Sequence, residues 1–245
     1  MLAGGSGKRM GTAIPKQYLI LKEKPILYYS LKAFEDSSVD EIVLVTSEKD
    51  ITFCKNEIIN KYNLKKVISI VPGGSERYLS VYNGLKVIKE ADYVLIHDGA
   101  RPFIKADIIE RSIVDVIKYK ACIVGVPAKD TVKIINSDNV VISTPDRNDV
   151  WNIQTPQSFS YQLIYNAYEE LMKKLCNEPY NLNELDVEYS YCNDNGTKGI
   201  NITDDAMVVE MTYNHKVHVT PGSYTNIKIT TIDDLKLGEV FIELD

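Results

Sequence analysis

An α/β fold, a doubly wound, mixed but mostly parallel sheet with a protruding β-hairpin arm, is predicted by three observations. Short apolar runs such as Glu41–Thr46 (EIVLVT) alternate with longer segments of helical spacing, which suits strands covered on both faces. Glycine-containing loops follow several of these runs, at the carboxyl ends of strands where such sheets hold their ligands. After Pro127 the pattern becomes two short β-branched runs, Val132–Ile134 and Val140–Ile142, around Asn136-Ser137-Asp138-Asn139, which reads as a hairpin.

The chain opens on MLAGGSGKRMGTAIPKQY, a phosphate-cradle pattern. Gly4, Gly5 and Gly7 let backbone N–H groups converge on an anion without a Cβ in the way, and Lys8, Arg9 and Lys16 supply positive charge. It is not a P-loop, because Lys8 is followed by Arg9 and lacks a correctly spaced glycine partner. Nor is it a dinucleotide fingerprint, since Met10 stands where a third glycine is required. Pro15-Lys16-Gln17-Tyr18 is a stiffened turn that returns a second cation to the loop; a flexible amino terminus is the competing reading.

A helix is expected from Pro25 through Phe34, then the Glu41–Thr46 strand, a helix over about Lys49–Tyr62 and a strand over Lys66–Val71. Pro72-Gly73-Gly74-Ser75-Glu76-Arg77 forms a second ligand-facing loop running into a helix, with Arg77, Ser80 and Gly84 on one face. The plain alternative is a strand–turn–helix joint capped by Ser75. The strand Tyr93–Ile96 ends in His97-Asp98-Gly99-Ala100-Arg101-Pro102-Phe103. Asp98 is the strongest single candidate: a carboxylate at a strand's carboxyl end can hold Mg²⁺ against phosphate oxygens while water completes the octahedron. A turn-forming Asp is the alternative, and His97 reads as a structural neighbour.

Ala121–Val126 is another buried strand. The arm over residues 127–151 then exposes edges and apolar side chains that it cannot bury alone, and pairing with a second copy would solve both problems; folding back onto its own domain is the alternative. Gln154–Phe159 is expected to return the chain to the body and start a helix over Tyr161–Lys174. The acids of Thr203-Asp204-Asp205-Ala206 suit the positive end of a further helix. Lys216–Thr220 and Asn226–Ile229 are expected late strands, with alternation placing Lys228 toward the pocket. A helix over Ile232–Ile242 closes the domain.

With 44% hydrophobic and 25% charged residues, the chain can bury its core in a single domain, 1–245. A net charge of −6 argues against a general nucleic-acid binder, so the clustered cations serve a small anion. Cys54, Cys122, Cys176 and Cys192 form no CxxC pair and have no nearby histidines, which argues for reduced thiols in the cytoplasm rather than zinc or disulfides. No apolar run is long enough to span a bilayer and no signal-peptide layout is present.

Taken together, AGGSGKRMG…PKQY, GGSERYLSV, HDGARPF, TPDRNDVW, TDDA and NIKIT resemble the signatures of the sugar-nucleotidyltransferase-like cytidylyltransferases, and among them the 2-C-methyl-D-erythritol 4-phosphate cytidylyltransferase family. The resemblance covers nearly the whole chain except residues 175–201, where relatives have a short connection and this chain is expected to carry a surface insertion. It implies a Rossmann-like fold, Mg²⁺ as cofactor, a homodimer formed through the arm, and a place in non-mevalonate isoprenoid biosynthesis. It also implies residue roles. Ala3, Gly4, Gly5 and Gly7 would wrap the CTP triphosphate, with Arg9 and Lys16 at the α-phosphate. Gly74, Ser75 and Ser80 would recognise the cytosine base, and Arg77 would order that loop. Asp98 and Gly99 would contact nucleotide, Asp98 alone the metal. Thr131 and Arg147 would reach the acceptor phosphate from the partner's arm, joined by Thr155 and Lys228. Relatives carry more apolar residues ahead of the loop than Met1 and Leu2, so a shorter, more weakly anchored first strand is expected.

The reaction so implied is attack of the acceptor phosphate on the α-phosphorus of CTP without a covalent enzyme intermediate, a task of aligning and neutralising two anions. Ribitol 5-phosphate is the alternative acceptor, but AKDT, TPDRNDVW and TDDA favour methylerythritol phosphate, the sister family tending to carry TDAC. Intact Arg9, Lys16, Asp98 and Lys228 disfavour a non-catalytic nucleotide-binding regulator. Met10 disfavours an NAD-dependent dehydrogenase.

Overall fold

Alternation of apolar strands with helices dictates the first half of the chain. The computed structural model describes residues 1–5, 14–176, 190–192, 198–200 and 202–244. Strand β1 (Leu2–Ala3) is followed by a 3-10 turn at Lys16–Tyr18 and a ribbon of β2 (Ile20–Leu21) and β3 (Lys24–Pro25). Helix α1 (Ile26–Glu35) begins after Pro25, whose missing N–H costs nothing at a helix start. Strand β4 (Ile42–Thr46) leads to a helical stretch that includes α2 (Ile51–Phe53) and widens to a π-helix at Cys54–Asn60. Then come β5 (Val67–Pro72), α3 (Arg77–Lys86), β6 (Tyr93–Ile96), α4 (Ala106–Tyr119) and β7 (Ala121–Pro127).

The arm carries β8 (Ile134–Ile135) and β9 (Val141–Ser143). Its turn is closed by Asn136 Oδ1, which accepts from the N–H groups of Asp138 and Val140 at 3.0 and 2.9 Å, with Asn139 in the left-handed region at φ 60°. Ile134, Ile135, Val140, Val141 and Ile142 stand 47–64% exposed. The chain continues as β10 (Trp151–Ser160), α5 (Tyr161–Cys176), the antiparallel pair β11 (Ser190–Cys192) and β12 (Lys198–Ile200), α6 (Asp205–Tyr213), β13 (His218–Pro221) and α7 (Ile232–Leu244). Of the expected 175–201 insertion, α5's last two residues and the β11–β12 pair are described; the remainder lies outside the described residues.

One sheet of order β5-β4-β1 is parallel throughout, and the other has the order β13-β7-β10-β6. They meet where the Leu2 N–H donates to the His97 carbonyl and the Gly99 N–H donates to the Leu2 carbonyl, both at 2.8 Å. The expected weak anchoring of the first strand is not what the structure has: β1 is bonded on both sides, the Val45 N–H donating to the Met1 carbonyl at 2.8 Å.

Two expectations are corrected. Gln154–Phe159 is no simple return to the body but part of a ten-residue strand, β10, antiparallel to both β6 and β7. Its run of buried polar side chains, Gln154, Thr155, Gln157 and Ser158, masks the apolar alternation of a strand. Asn226–Ile229 is not a strand either. Its backbone is held piecemeal, the Arg101 guanidinium donating to the Asn226 carbonyl at 2.8 Å and the Ile229 N–H to the Ala100 carbonyl at 2.8 Å.

Helices cover both faces. On one, Leu27, Leu31 and Phe34 of α1 pack with Ile108 and Ile109 of α4 and with Cys54 and Ile58. On the other, Val81 and Leu85 of α3, Ile164, Tyr168 and Leu171 of α5, and Val208 and Val209 of α6 enclose Phe159 of β10. Truncating a side chain as buried as Phe159 costs about 3–5 kcal/mol. No helix among the described residues is long and apolar enough to cross a membrane.

Candidate nucleotide and phosphate site

The carboxyl ends of β1, β4, β5 and β6 bring together the loops singled out in the sequence. Ala3 is buried at the end of β1, and Gly4 and Gly5 emerge from it into solvent. Gly7, Lys8, Arg9 and Met10 lie outside the described residues. The turn that carries Lys16 is pinned beside this loop: Gln17 Nε2 donates to the Ala3 carbonyl at 2.6 Å, and the Tyr18 hydroxyl lies 2.7 Å from Thr46 Oγ1 and 3.3 Å from Cys54 Sγ. Burial, reinforced by the Cys54 contact, pushes the Tyr18 phenol well above its ordinary range. Lys16 is thus mounted, half-buried, on a turn whose next two side chains are fastened to β1 and β4.

The second loop runs against the first. Gly73 N–H donates to the Thr46 carbonyl at 2.7 Å, and Gly74 N–H to Ser80 Oγ at 3.0 Å. A Cβ on Gly74 would lie 2.3 Å from Leu79 Cβ, so only glycine fits this approach to α3. Gly74 and Ser75 face solvent, whereas the Ser80 hydroxyl is buried and tied to the loop and to the Glu76 carbonyl at 3.2 Å. Glu76, not Ser75, occupies the N-cap of α3 and gives no side-chain cap.

Asp98 sits just past β6, almost buried, among three cations. Its Oδ2 is 2.7 Å from Lys228 Nζ and 3.9 Å from Arg101 Nε, and its Oδ1 is 3.7 Å from Arg77 Nε. Burial pushes the carboxyl up, but Lys228 and Arg77, then Arg101, outweigh it and hold Asp98 well below the usual carboxylate range. The Asp98 N–H donates to Thr155 Oγ1 at 3.1 Å, and the same hydroxyl meets His97 Nδ1 at 3.0 Å. Thr155 is 4% exposed, so its hydroxyl faces inward and fixes Asp98. His97, tilted against Phe34, is pushed down to about 3 by burial and stays neutral. Gly99 lies buried beneath this turn, its N–H on the Leu2 carbonyl at 2.8 Å and its carbonyl accepting from Ser30 at 3.1 Å.

Lys228 therefore reaches the site from a loop rather than a strand. Thr131 and Arg147 are not brought to it within one chain: both are exposed at the base of the arm, where Arg147 donates to the Lys129 carbonyl at 3.2 Å. Sequence reasoning missed Arg101 as a charge partner of Asp98, and also Asn226, which is fully buried and donates to Gln154 Oε1 at 3.2 Å and the Thr155 carbonyl at 3.0 Å. Arg101 had a readable signal, a cation three residues past the carboxylate in one turn; Asn226 had none.

No group of three or more His, Cys, Asp or Glu side chains suited to a metal occurs among the described residues. A hard divalent ion commonly takes one or two carboxylates and draws its other ligands from substrate phosphates and water. Asp98 Oδ1, which lies beyond hydrogen-bond range of Arg77 Nε, fits that mode.

A doubly wound sheet with glycine loops and a charge cluster at its carboxyl edge is the architecture of a nucleotide-handling α/β protein. A family model described as IspD, 2-C-methyl-D-erythritol 4-phosphate cytidylyltransferase, matches residues 1–181 and 183–244. The chain is 49% identical over 242 residues to the 2-C-methyl-D-erythritol 4-phosphate cytidylyltransferase of Lachnoclostridium phytofermentans, covering 99% of this chain and 94% of that one. It is 46% identical over 243 residues to one from Clostridium botulinum, covering 99% and 97%. The crystal structure of 4-diphosphocytidyl-2C-methyl-D-erythritol synthase from Anaerococcus prevotii superposes with a TM-score of 0.78 at 33% identity, covering 99% of this chain and 95% of that one. The chain belongs to the 2-C-methyl-D-erythritol 4-phosphate cytidylyltransferase family.

Proposed function

We propose that this chain transfers the cytidylyl group of CTP to 2-C-methyl-D-erythritol 4-phosphate, in non-mevalonate isoprenoid biosynthesis, giving 4-diphosphocytidyl-2-C-methyl-D-erythritol and pyrophosphate. The observation that carries the reading is Asp98 ringed by Lys228, Arg77 and Arg101 between two glycine loops, in a member of that family. Such a crevice suits a reaction between anions. An oxygen of the acceptor phosphate forms a bond to the α-phosphorus, the bond from that phosphorus to the bridging oxygen breaks, and its electron pair leaves with pyrophosphate.

In this reading Arg9 and Lys16 neutralise the α-phosphate, and the backbone of Ala3, Gly4, Gly5 and Gly7 wraps the triphosphate. Gly74 and Ser75 face the base, with Ser80 and Gly99 setting the loops beneath it. Lys228 holds the acceptor phosphate, with Thr131 and Arg147 reaching in from the arm of a second copy. The exposed apolar side chains of the arm support that homodimer. Mg²⁺ on Asp98, when bound with CTP, would neutralise phosphate charge. Cys54 and Cys122 are buried free thiols, in keeping with a cytoplasmic setting.

The test is pyrophosphate release from CTP with Mg²⁺, comparing methylerythritol 4-phosphate with ribitol 5-phosphate. Release with the first, lost in Lys16→Ala, supports the reading; release with ribitol phosphate alone moves the protein to the sister activity, and silence with both refutes transfer.

A further inference from the structure

Arg77, the first residue of α3, stands between two carboxylates. Its fork is given wholly to Asp205, with Nη1 2.9 Å from Oδ1 and Nη2 2.7 Å from Oδ2, and only Nε turns toward Asp98. Asp205 is 0% exposed and opens α6, and it has a third donor in the Tyr168 hydroxyl, 2.6 Å from Oδ1. Its own N–H is fixed on Gln157 Oε1 at 2.9 Å, and Gln157 Nε2 donates to Asp204 Oδ2 at 2.9 Å. Gln157 pairs directly with Ile96, two residues before Asp98, so this anchor and Asp98 belong to the same sheet.

A guanidinium fork prefers bidentate pairing with a carboxylate, and two carboxylates compete for this one. Asp98 Oδ2 already carries Lys228 at 2.7 Å. If the fork swung over, both Asp98 oxygens would carry charge-assisted hydrogen bonds, and a cation arriving with the nucleotide would have to compete with the guanidinium and ammonium charges for the lone pairs that remain. We propose that Asp205, steadied by Tyr168, is a positioning residue that holds the Arg77 fork away from Asp98 and so keeps Asp98 Oδ1 available to nucleotide-bound metal. The proposal rests on the CTP reading above.

The test is equilibrium binding of CTP with Mn²⁺, read by water-proton relaxation, together with steady-state kinetics. Asp205→Asn should weaken Mn²⁺·CTP binding by about 10-fold, the low end of what disturbing the groups around a metal ligand costs, because it acts on Asp98 through Arg77, and should raise the KM for CTP in step. Arg77→Met added to Asp205→Asn should restore most of that binding, because the competing fork is gone; urea midpoints of the same proteins separate this from repair of a broken buried pair, in which binding would simply follow stability. Tyr168→Phe should cause a smaller loss in the same direction. If Asp205→Asn does not fold, Tyr168→Phe carries the comparison, its Mn²⁺·CTP affinity read against its urea midpoint. A folded Asp205→Asn protein that binds Mn²⁺·CTP like the unsubstituted one, or a double variant no better than the single, overturns the proposal. Unsubstituted protein that binds Mn²⁺·CTP yet releases no pyrophosphate refutes the transferase reading, while the binding comparison still decides the role of Asp205.

Discussion

Lys228 Nζ lies 2.7 Å from Asp98 Oδ2, so the loop after β13 closes its charge directly onto the carboxyl end of β6. The cation proposed for the acceptor phosphate is thereby also the main counter-charge of the proposed metal ligand, so a substitution at Lys228 acts on Asp98 as well.

Lys228→Met should lower kcat/KM by about 100-fold or more, the scale of losing one preorganised charge donor. It should also let the Asp98 carboxyl titrate higher. Because the folded state holds this group below its unfolded value, its stabilising contribution is present at neutral pH and lost as pH falls through the folded value. In the variant that loss should move to higher pH, checked by carbon NMR titration of Asp98 and by acid unfolding.

Arg77→Ala leaves Asp205 buried without its counter-charge. Breaking a pair of this kind costs about 3–5 kcal/mol, which urea denaturation would show as a lower midpoint.

Thr155→Val removes the hydroxyl shared by His97 and the Asp98 N–H and leaves that buried donor unmatched, at about 1–3 kcal/mol. Kinetics should show a fall in kcat with little change in the KM for acceptor. A rise confined to that KM would instead place Thr155 on the acceptor phosphate.

His97, neutral in the fold with its titration pushed down to about 3 from 6.5, makes the unfolded state the better proton binder between those values. Stability should therefore decline as pH falls from 6.5 toward 3. His97→Gln, measured by thermal unfolding across that window, should flatten the slope.

Gly74→Ala forces a Cβ against Leu79 and should displace the loop that Ser80 holds. The KM for CTP should rise, with the KM for acceptor little changed, in initial-rate measurements.

Much of this was legible because local chemistry carried it. Asp98 could be found from a carboxylate and a glycine following an apolar strand, and Lys16 from a proline-stiffened turn beside glycines. Lys228 was placed at the site from an assumed strand, although a loop delivers it. β10 was hidden because its buried polar residues bond to partners from other segments, as Gln157 does to Asp204 and Asp205. The Arg77–Asp205 pair was invisible for a related reason. Its members are 128 residues apart and each had a sufficient local explanation, one as a loop-ordering cation and the other as an acid at a helix start.

The place of β10 between β6 and β7 sets a constraint on synthesis at the ribosome. β6 and β7 both emerge before the strand that joins them, with the whole arm intervening. A nascent chain halted anywhere in the arm therefore leaves β6 without β10 and β7 without either of its partners, β10 and β13, and unpaired edges of this kind are what chaperones capture and what aggregates when they do not. Closure of this sheet therefore waits on ten residues that look, on paper, like a connector.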